Sequence, residues 1–159
     1  MSSANVFVAC ARRGDVSGLK RCLRAVEGPE SYRAANSRLE GGWSAAHFAA
    51  DRPDDAGTAM LALLLKAGAH PDHAVDNGMT PLLLATDAAN VASSRLLLES
   101  GASVLAVESR GWTVLHFAAR RALPSVVAWA LAIGANANAP ARGGSTPLHL
   151  AACRCGVHA

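Results

Sequence analysis

The stretch Gly111–Ala118 reads GWTVLHFA, and a version of it occurs at three other places in the chain. The other copies begin at Gly42 (GWSAAHFA), Gly78 (GMTPLLLA) and Gly144 (GSTPLHLA), so that successive glycines lie 36, 33 and 33 residues apart. A fixed period of this length is the signature of a repeat protein, in which each repeat is one supersecondary unit. We therefore expect a stack of similar units.

Each copy contains the signals that start a helix. A hydroxyl residue stands two positions after the glycine, where its side chain can accept a backbone N–H in the first helical turn. Pro81 and Pro147 follow two of these residues, at the position where a missing N–H costs nothing. The four hydroxyl residues are Ser44, Thr80, Thr113 and Thr146.

A second pattern at a fixed offset contains the signals that end a helix. Residues 63–69 read LLLKAGA, residues 96–102 read LLLESGA and residues 129–135 read WALAIGA. In each case the glycine follows an apolar run, where a helix ends in the left-handed turn that glycine adopts most cheaply. The start and stop signals therefore predict two short antiparallel helices in each repeat. Segments such as 102–113, between one repeat's last helix and the next repeat's first, are long enough for an extended, hairpin-like arm.

Both patterns resemble the ankyrin repeat, whose period is about 33 residues. The resemblance implies an all-α solenoid of stacked helix-turn-helix units with hairpin-like loops, forming one domain over residues 1–159. A helix pair of this kind buries its apolar face only against its neighbours. The predicted parts are a degenerate N-terminal repeat at 1–38, repeats at 39–74, 75–107 and 108–140, and an incomplete last repeat at 141–159.

The ends of the stack depart from the repeat pattern. Extra residues around Gly28-Pro29-Glu30 predict a longer loop after the first unit. In the last repeat, Leu148, Leu150 and Ala151 would form an open face without a covering helix. Three explanations fit this face: a shortened chain, a longer parent protein, or a capping partner.

Composition narrows the class of protein. Hydrophobic residues make up 51% of the 159 residues but aromatic residues only 4%, which suits closely stacked helices. Without an apolar run long enough to span a bilayer, or a basic segment before a leader-like stretch, we expect a cytoplasmic or nuclear protein. The four cysteines form two distant pairs, so reduced thiols are expected, and a net charge of +3 is too small to indicate nucleic acid.

The side chains that could take part in catalysis or metal binding do not form a pattern that indicates a catalytic, cofactor-binding or metal site. We therefore expect no enzyme and no cofactor. His47, His116 and His149 occupy one slot of the repeat, about 10 Å apart in a helix stack, and are assigned to the architecture. The Cys153-x-Cys155-x-x-His158 cluster offers at most three zinc ligands. A metal- or redox-responsive role of this cluster, and weak nucleic-acid binding through the basic last repeats, remain as alternative functions.

The resemblance also implies where a partner protein binds. Ankyrin repeats usually bind through the arm tips and the exposed face of the first helix, which line a concave groove. Asn138 matches the position that an asparagine hydroxylase modifies in some of these repeats, although such an asparagine often only bonds the turn. The positions carried over as partner-binding are Glu40, Trp43, Asp51, Arg52, Asp76, Asn77, Met79, Asp87, Ser109, Arg110, Trp112, Arg120, Arg121, Arg142, Ser145 and Arg154.

Two tryptophans and the charge distribution refine this prediction. Trp43 and Trp112 follow the turn glycine, where an exposed ring could contact a partner, whereas Trp129 occupies a leucine slot and is expected in the core. The net charge is +3 over residues 1–40, −4 over 41–106 and +4 over 107–159. We therefore expect separate acidic and basic parts of the groove, and an extended partner segment of mixed charge.

Overall fold

The computed structural model describes residues 3–26 and 28–155, with side chains for 6–26 and 28–153. Within these ranges the chain forms ten α-helices and one 3₁₀ turn at Glu40–Gly42, and no β-strand. None of the described helices is long and apolar enough to cross a membrane. The helices are α1 (Ser3–Arg13), α2 (Val16–Ala25), α3 (Pro29–Ala35), α4 (Ala45–Ala50), α5 (Asp55–Lys66), α6 (Pro81–Asp87), α7 (Val91–Glu99), α8 (Val114–Arg121), α9 (Pro124–Ile133) and α10 (Pro147–Cys155).

The helices pair along the chain and then stack. Short turns join α1 to α2, α4 to α5, α6 to α7 and α8 to α9, and the two members of each pair pack together. The first helices α1, α4, α6, α8 and α10 contact one another in succession, and so do the second helices α2, α5, α7 and α9. This two-layer stack is the all-α solenoid that the repeat pattern predicts.

The core runs through the stack without a break. It is one cluster of buried side chains from Phe7 in α1 to Ala130 in α9, built mainly from alanine and leucine. Phe117 in α8 and Leu97 in α7 are fully buried towards its C-terminal end, and both of these helices contact α9. Small side chains let the helices approach closely, so each pair is stabilised mostly by its neighbours.

The connection after the first unit differs from the expected loop. Residues 29–35 form the helix α3, which packs against α1. Pro29 stands in the first turn of this helix, where its fixed backbone angle favours a helical start, and Ala34 and Ala35 are buried. The prediction of a longer loop was therefore wrong, because it treated Pro29 as a residue that interrupts helices.

The arms are hairpins held by few backbone bonds. In the arm at residues 102–113, the third along the chain, the Glu108 N–H donates to the Trp112 carbonyl at 3.1 Å, and the Gly111 N–H donates to the Glu108 carbonyl at 2.8 Å. Gly111 has a φ of +83°, which the turn requires. Successive arms are joined tip to tip by bonds from Asp76 to Gly41 (3.1 Å), Ser109 to Asn77 (2.7 Å) and Arg142 to Arg110 (2.9 Å).

Candidate partner-binding surface

Two of the repeated histidines connect the first helices α4 and α8 to the arms that follow them. The Nδ1 atom of His47 accepts the Ser44 backbone N–H at 3.1 Å, and its Nε2 atom donates to the His73 carbonyl at 2.8 Å. His116 bonds Thr113 at 3.1 Å and the Ser145 carbonyl at 3.1 Å in the same way. These two histidines are buried and bonded within the fold, so they fix the arms that contain His73 and Ser145 to α4 and α8, whereas α6 has Leu83 in this slot and makes no such bond to the arm of Trp112.

Charged side chains line up at the ends of the first helices. Arg12, Asp51, Asp87 and Arg120 occupy equivalent positions in four successive units, just before the turn to the second helix. The Asp51 side chain is largely exposed, but partial desolvation of its carboxyl group, followed by the negative charge of Asp87, raises the pKa of that group above the usual range.

Asp87 is neutralised by the next unit. Its carboxylate accepts hydrogen bonds from both Arg120 and Arg121, and the Arg121 nitrogen lies 3.1 Å from Asp87 Oδ1. From the sequence, we expected Asp87 and these arginines to face separate parts of a ligand. The structure corrects that assignment, because the repeat period places consecutive helix ends side by side and the charges pair within the protein.

Two guanidinium groups lie over the ring of Trp112. The guanidinium carbon of Arg110 is 4.5 Å from the centre of its ring system, and that of Arg120 is 4.9 Å away. The ring also meets the edge of Phe117, with centroids 5.1 Å apart, and is half-buried. A tryptophan held by cations and by the core presents a rigid surface to the solvent.

Glu108 organises this part of the third arm, and sequence reasoning missed it. Its side chain is almost fully buried, and Oε1 accepts the backbone N–H groups of Arg110 (2.9 Å) and Trp112 (3.1 Å). The second oxygen accepts bonds from Ser109 and from the Arg110 guanidinium at 3.3 Å. The available signal was an acidic side chain at the first position of a tight turn, where such side chains bond the backbone.

The first arm has a simpler aromatic cluster. Trp43 packs on Phe48, with ring centroids 4.9 Å apart, and is half-buried like Trp112. Arg52 nearby bonds the carboxylate of Asp54, which in turn caps α5 through the Gly57 N–H. The Arg52 guanidinium also donates to the Arg12 carbonyl of the preceding unit at 3.5 Å. Trp43 has no pair of cations over its ring among the described contacts.

The remaining predicted positions divide by exposure. Met79 is buried in the core, so the expectation that it faces a partner was wrong, whereas the larger Trp43 and Trp112 at the same repeat position are half-buried. The side chain of Arg154 lies outside the described residues. Half-buried positions are Trp43, Arg52, Asp87, Trp112, Arg120 and Ser145, and exposed ones are Glu40, Asp51, Asp76, Asn77, Ser109, Arg110, Arg121 and Arg142.

Two other features noted in the sequence are Trp129 and Asn138, and the structure adds a pair of histidines. Trp129, expected in the core, is half-buried and packs against it, with the Arg95 guanidinium 5.7 Å from its ring. Asn138 is exposed, and its N–H donates to the Asn136 side chain at 3.0 Å. In the arm that contains Asn77, the rings of His70 and His73 stack, with their centroids 4.8 Å apart.

The terminal cysteine cluster stays a prediction. Cys153 is exposed, whereas the Cys155 side chain and His158 lie outside the described residues. Over the part of the chain that the structure describes, no three His, Cys, Asp or Glu side chains are placed to hold a metal ion. At the other end, burial raises the pKa of the Cys10 thiol.

Comparison with known protein families agrees with the stack. A family model described as "Ankyrin repeats (many copies)" matches residues 97–151, and one described as "Ankyrin repeat" matches residues 77–109. These matches cover α6 to α9 and most of α10, and therefore the units that carry Asp87, Trp112 and Arg121. No curated protein matches the chain.

Proposed function

Because this chain belongs to the ankyrin-repeat family, we propose that it is a non-enzymatic scaffold or adaptor that binds a partner protein through the concave surface of its stack. Ankyrin repeats generally serve as protein–protein interaction modules. The binding surface consists of the arm tips and the exposed ends of the first helices, from Glu40 and Asp51 to Arg121 and Arg142.

The observation that carries the proposal is the arrangement around Trp112. The guanidinium groups of Arg110 and Arg120 lie 4.5 and 4.9 Å from the centre of its ring system, and Glu108 fixes the backbone of both Arg110 and Trp112. Tryptophan and arginine are the residues most enriched in binding hot spots. A surface that is ordered before binding loses little conformational entropy when a partner arrives, which favours affinity.

The charges around Trp112 indicate the chemistry of the partner. Arg110, Arg121 and Arg142 are exposed at this end of the surface, whereas Glu40 and Asp76 are exposed on the preceding arms. Since Asp87 is already paired with arginines, the acidic part is shorter than the composition suggests. We expect an extended partner segment that is acidic beside Trp112 and basic beside Asp76.

Replacing Trp112 with alanine tests the proposal. We expect the dissociation constant of a partner recovered by pull-down and then purified to rise about 30-fold or more, as for a hot-spot residue worth about 2 kcal/mol. The measurement is a titration by isothermal calorimetry, at a temperature where circular dichroism shows both proteins folded.

Trp129→Ala is the matched control. Trp129 is also half-buried and also has an arginine over its ring, but it stands on the second-helix layer, away from the arm tips. We expect this variant to bind within about twofold of wild type, a change of less than 0.5 kcal/mol. Equal losses for Trp112→Ala and Trp129→Ala, or no loss for either, would contradict the proposal.

A further inference from the structure

A second surface of a different kind lies on the second-helix layer, between α2, α3 and α5. It is a groove of about 400 Å³, and the residues that line it include Lys20, Leu23 and Arg24 of α2 and Leu63 and Lys66 of α5. The two leucines are half-buried, whereas the three basic side chains are exposed. None of the described residues of the lining is acidic. The groove therefore has an apolar floor and a positive rim.

The three basic side chains have no acidic partner within the described part of the protein. Lys20, Arg24 and Lys66 are absent from its ion pairs, and so is Glu30, the exposed acidic residue beside the groove on α3. Like charges along one groove repel each other, and an anion bound between them relieves that repulsion. The rim therefore favours a negatively charged ligand.

An equivalent groove lies two units further along the stack, between α7 and α9. Both grooves separate consecutive second helices. Residues 20, 23 and 24 of α2 have the spacing of residues 95, 98 and 99 of α7, and residues 63, 66 and 67 of α5 have that of residues 129, 132 and 133 of α9. The two linings can therefore be compared position by position.

The later groove is partly filled by the protein itself. Glu99 takes the place of Arg24 there, and Trp129 that of Leu63. Arg95 donates to Glu99 Oε1 at 2.7 Å, and its guanidinium carbon lies 5.7 Å from the centre of the Trp129 ring. This groove measures about 250 Å³ against about 400 Å³ for the first. The lining of the groove between α2 and α5 thus lacks a carboxylate and an aromatic ring that its counterpart has.

We propose that the groove between α2 and α5 binds a short acidic segment of a partner protein that carries an aromatic side chain. The ring lies over Leu63, in the place that Trp129 takes in the later groove, with the ammonium group of Lys20 against its face. The carboxylates on either side of the ring pair with Arg24 and Lys66. The partner supplies what the later groove already contains.

The lining favours a peptide over two other polyanions. A nucleic acid gains affinity from bases stacked on aromatic side chains, and none is among the described residues that line this groove. The basic rim would attract an anionic lipid surface, but a flat layer of headgroups leaves the recess between Leu23 and Leu63 unfilled. A peptide side chain fills the recess and removes both leucines from water.

A blocked peptide with the sequence Glu-Glu-Trp-Glu-Glu serves as the probe. With this peptide added to the full chain up to millimolar concentration, we expect saturable shifts of the methyl NMR signals of Leu23 and Leu63, which report this groove and not the concave surface. One control peptide has glutamine in place of each glutamate, and the other has alanine in place of tryptophan. Each control should bind at least about fivefold more weakly, because it lacks one of the two contributions.

Three protein variants locate the binding. Arg24→Glu reverses a charge on the rim, and we expect at least about tenfold weaker affinity. Arg21→Glu makes the same change at an exposed position of α2 outside the lining, and should bind within about twofold of wild type at about 0.15 M salt, where distant charges are screened. Leu63→Trp fills the floor without a change of charge and should also weaken binding about tenfold, with circular dichroism to check the fold.

Two results would overturn the proposal. One is the absence of shifts at Leu23 and Leu63 with millimolar peptide, or equal weakening by Arg24→Glu and Arg21→Glu. The other is binding of the chain to vesicles of phosphatidylcholine and phosphatidylserine that Arg24→Glu abolishes, with no response to the peptide, because a lipid surface would then be the occupant.

Discussion

The change Gly111→Ala is expected to lower the free energy of unfolding by about 3 kcal/mol. Alanine at a φ of +83° adopts the left-handed region at a cost of about 1–2 kcal/mol. Its Cβ atom would also lie 2.8 Å from the Arg142 nitrogen and 3.1 Å from the Ala141 Cα atom, both in the backbone of the next arm. Relieving such overpacking costs a further 1–3 kcal/mol, roughly. Urea unfolding followed by circular dichroism measures the total.

Gly101→Ala separates the two parts of that cost. Gly101 has a φ of +84°, but a Cβ atom there would meet nothing within 4 Å. This control should lose only the about 1–2 kcal/mol of backbone strain. If the two variants are equally stable, the arms are not stacked tip to tip as the bonds between Arg142 and Arg110 require.

Acidification is expected to destabilise the protein through His47. Burial, with smaller contributions from the charges of Arg38 and His73, lowers the pKa of His47 to about 4. In the unfolded chain the pKa is about 6.5, so the unfolded state binds the proton first as the pH falls. The free energy of unfolding should therefore be highest above pH 7 and fall by about 3 kcal/mol in total between pH 6.5 and 4.

His47→Gln isolates this effect. Glutamine at the third helical position can still accept the Ser44 N–H, as in a capping box, but does not titrate in this range. Urea unfolding at several pH values between 7 and 4 should show a clearly smaller loss of stability for the variant. The assignment of a buried, neutral His47 would be untenable if both proteins lost the same amount.

Most of the fold follows from local signals. The hydroxyl residue after each turn glycine and the glycine after each leucine run mark helix boundaries by themselves, so α6 and α7 begin and end close to where Thr80 and Gly101 predict. The helix α3 was not predicted, because a proline such as Pro29 can mark a loop as well as the first turn of a helix. Its helical state depends on burial of Ala34 and Ala35, which is a tertiary effect.

The candidate surface is less accessible to sequence reasoning. Repeat positions identify Trp112 and Arg120, but the pairing of Arg120 with Asp87 joins residues 33 positions apart and depends on how neighbouring units are placed. Glu108 was passed over because its role lies in backbone bonds to Arg110 and Trp112. Met79 was misassigned because the direction of its side chain is set by packing.

The most direct test of the central claim compares charge reversal on the two sides of the stack. Arg142 is exposed at the tip of the last arm, and Arg95 is exposed on the second helix α7. With the purified partner, we expect Arg142→Glu to weaken binding at least tenfold, or about 1.4 kcal/mol, while Arg95→Glu leaves the dissociation constant unchanged. Weaker binding by Arg95→Glu with unchanged binding by Arg142→Glu would contradict the central claim.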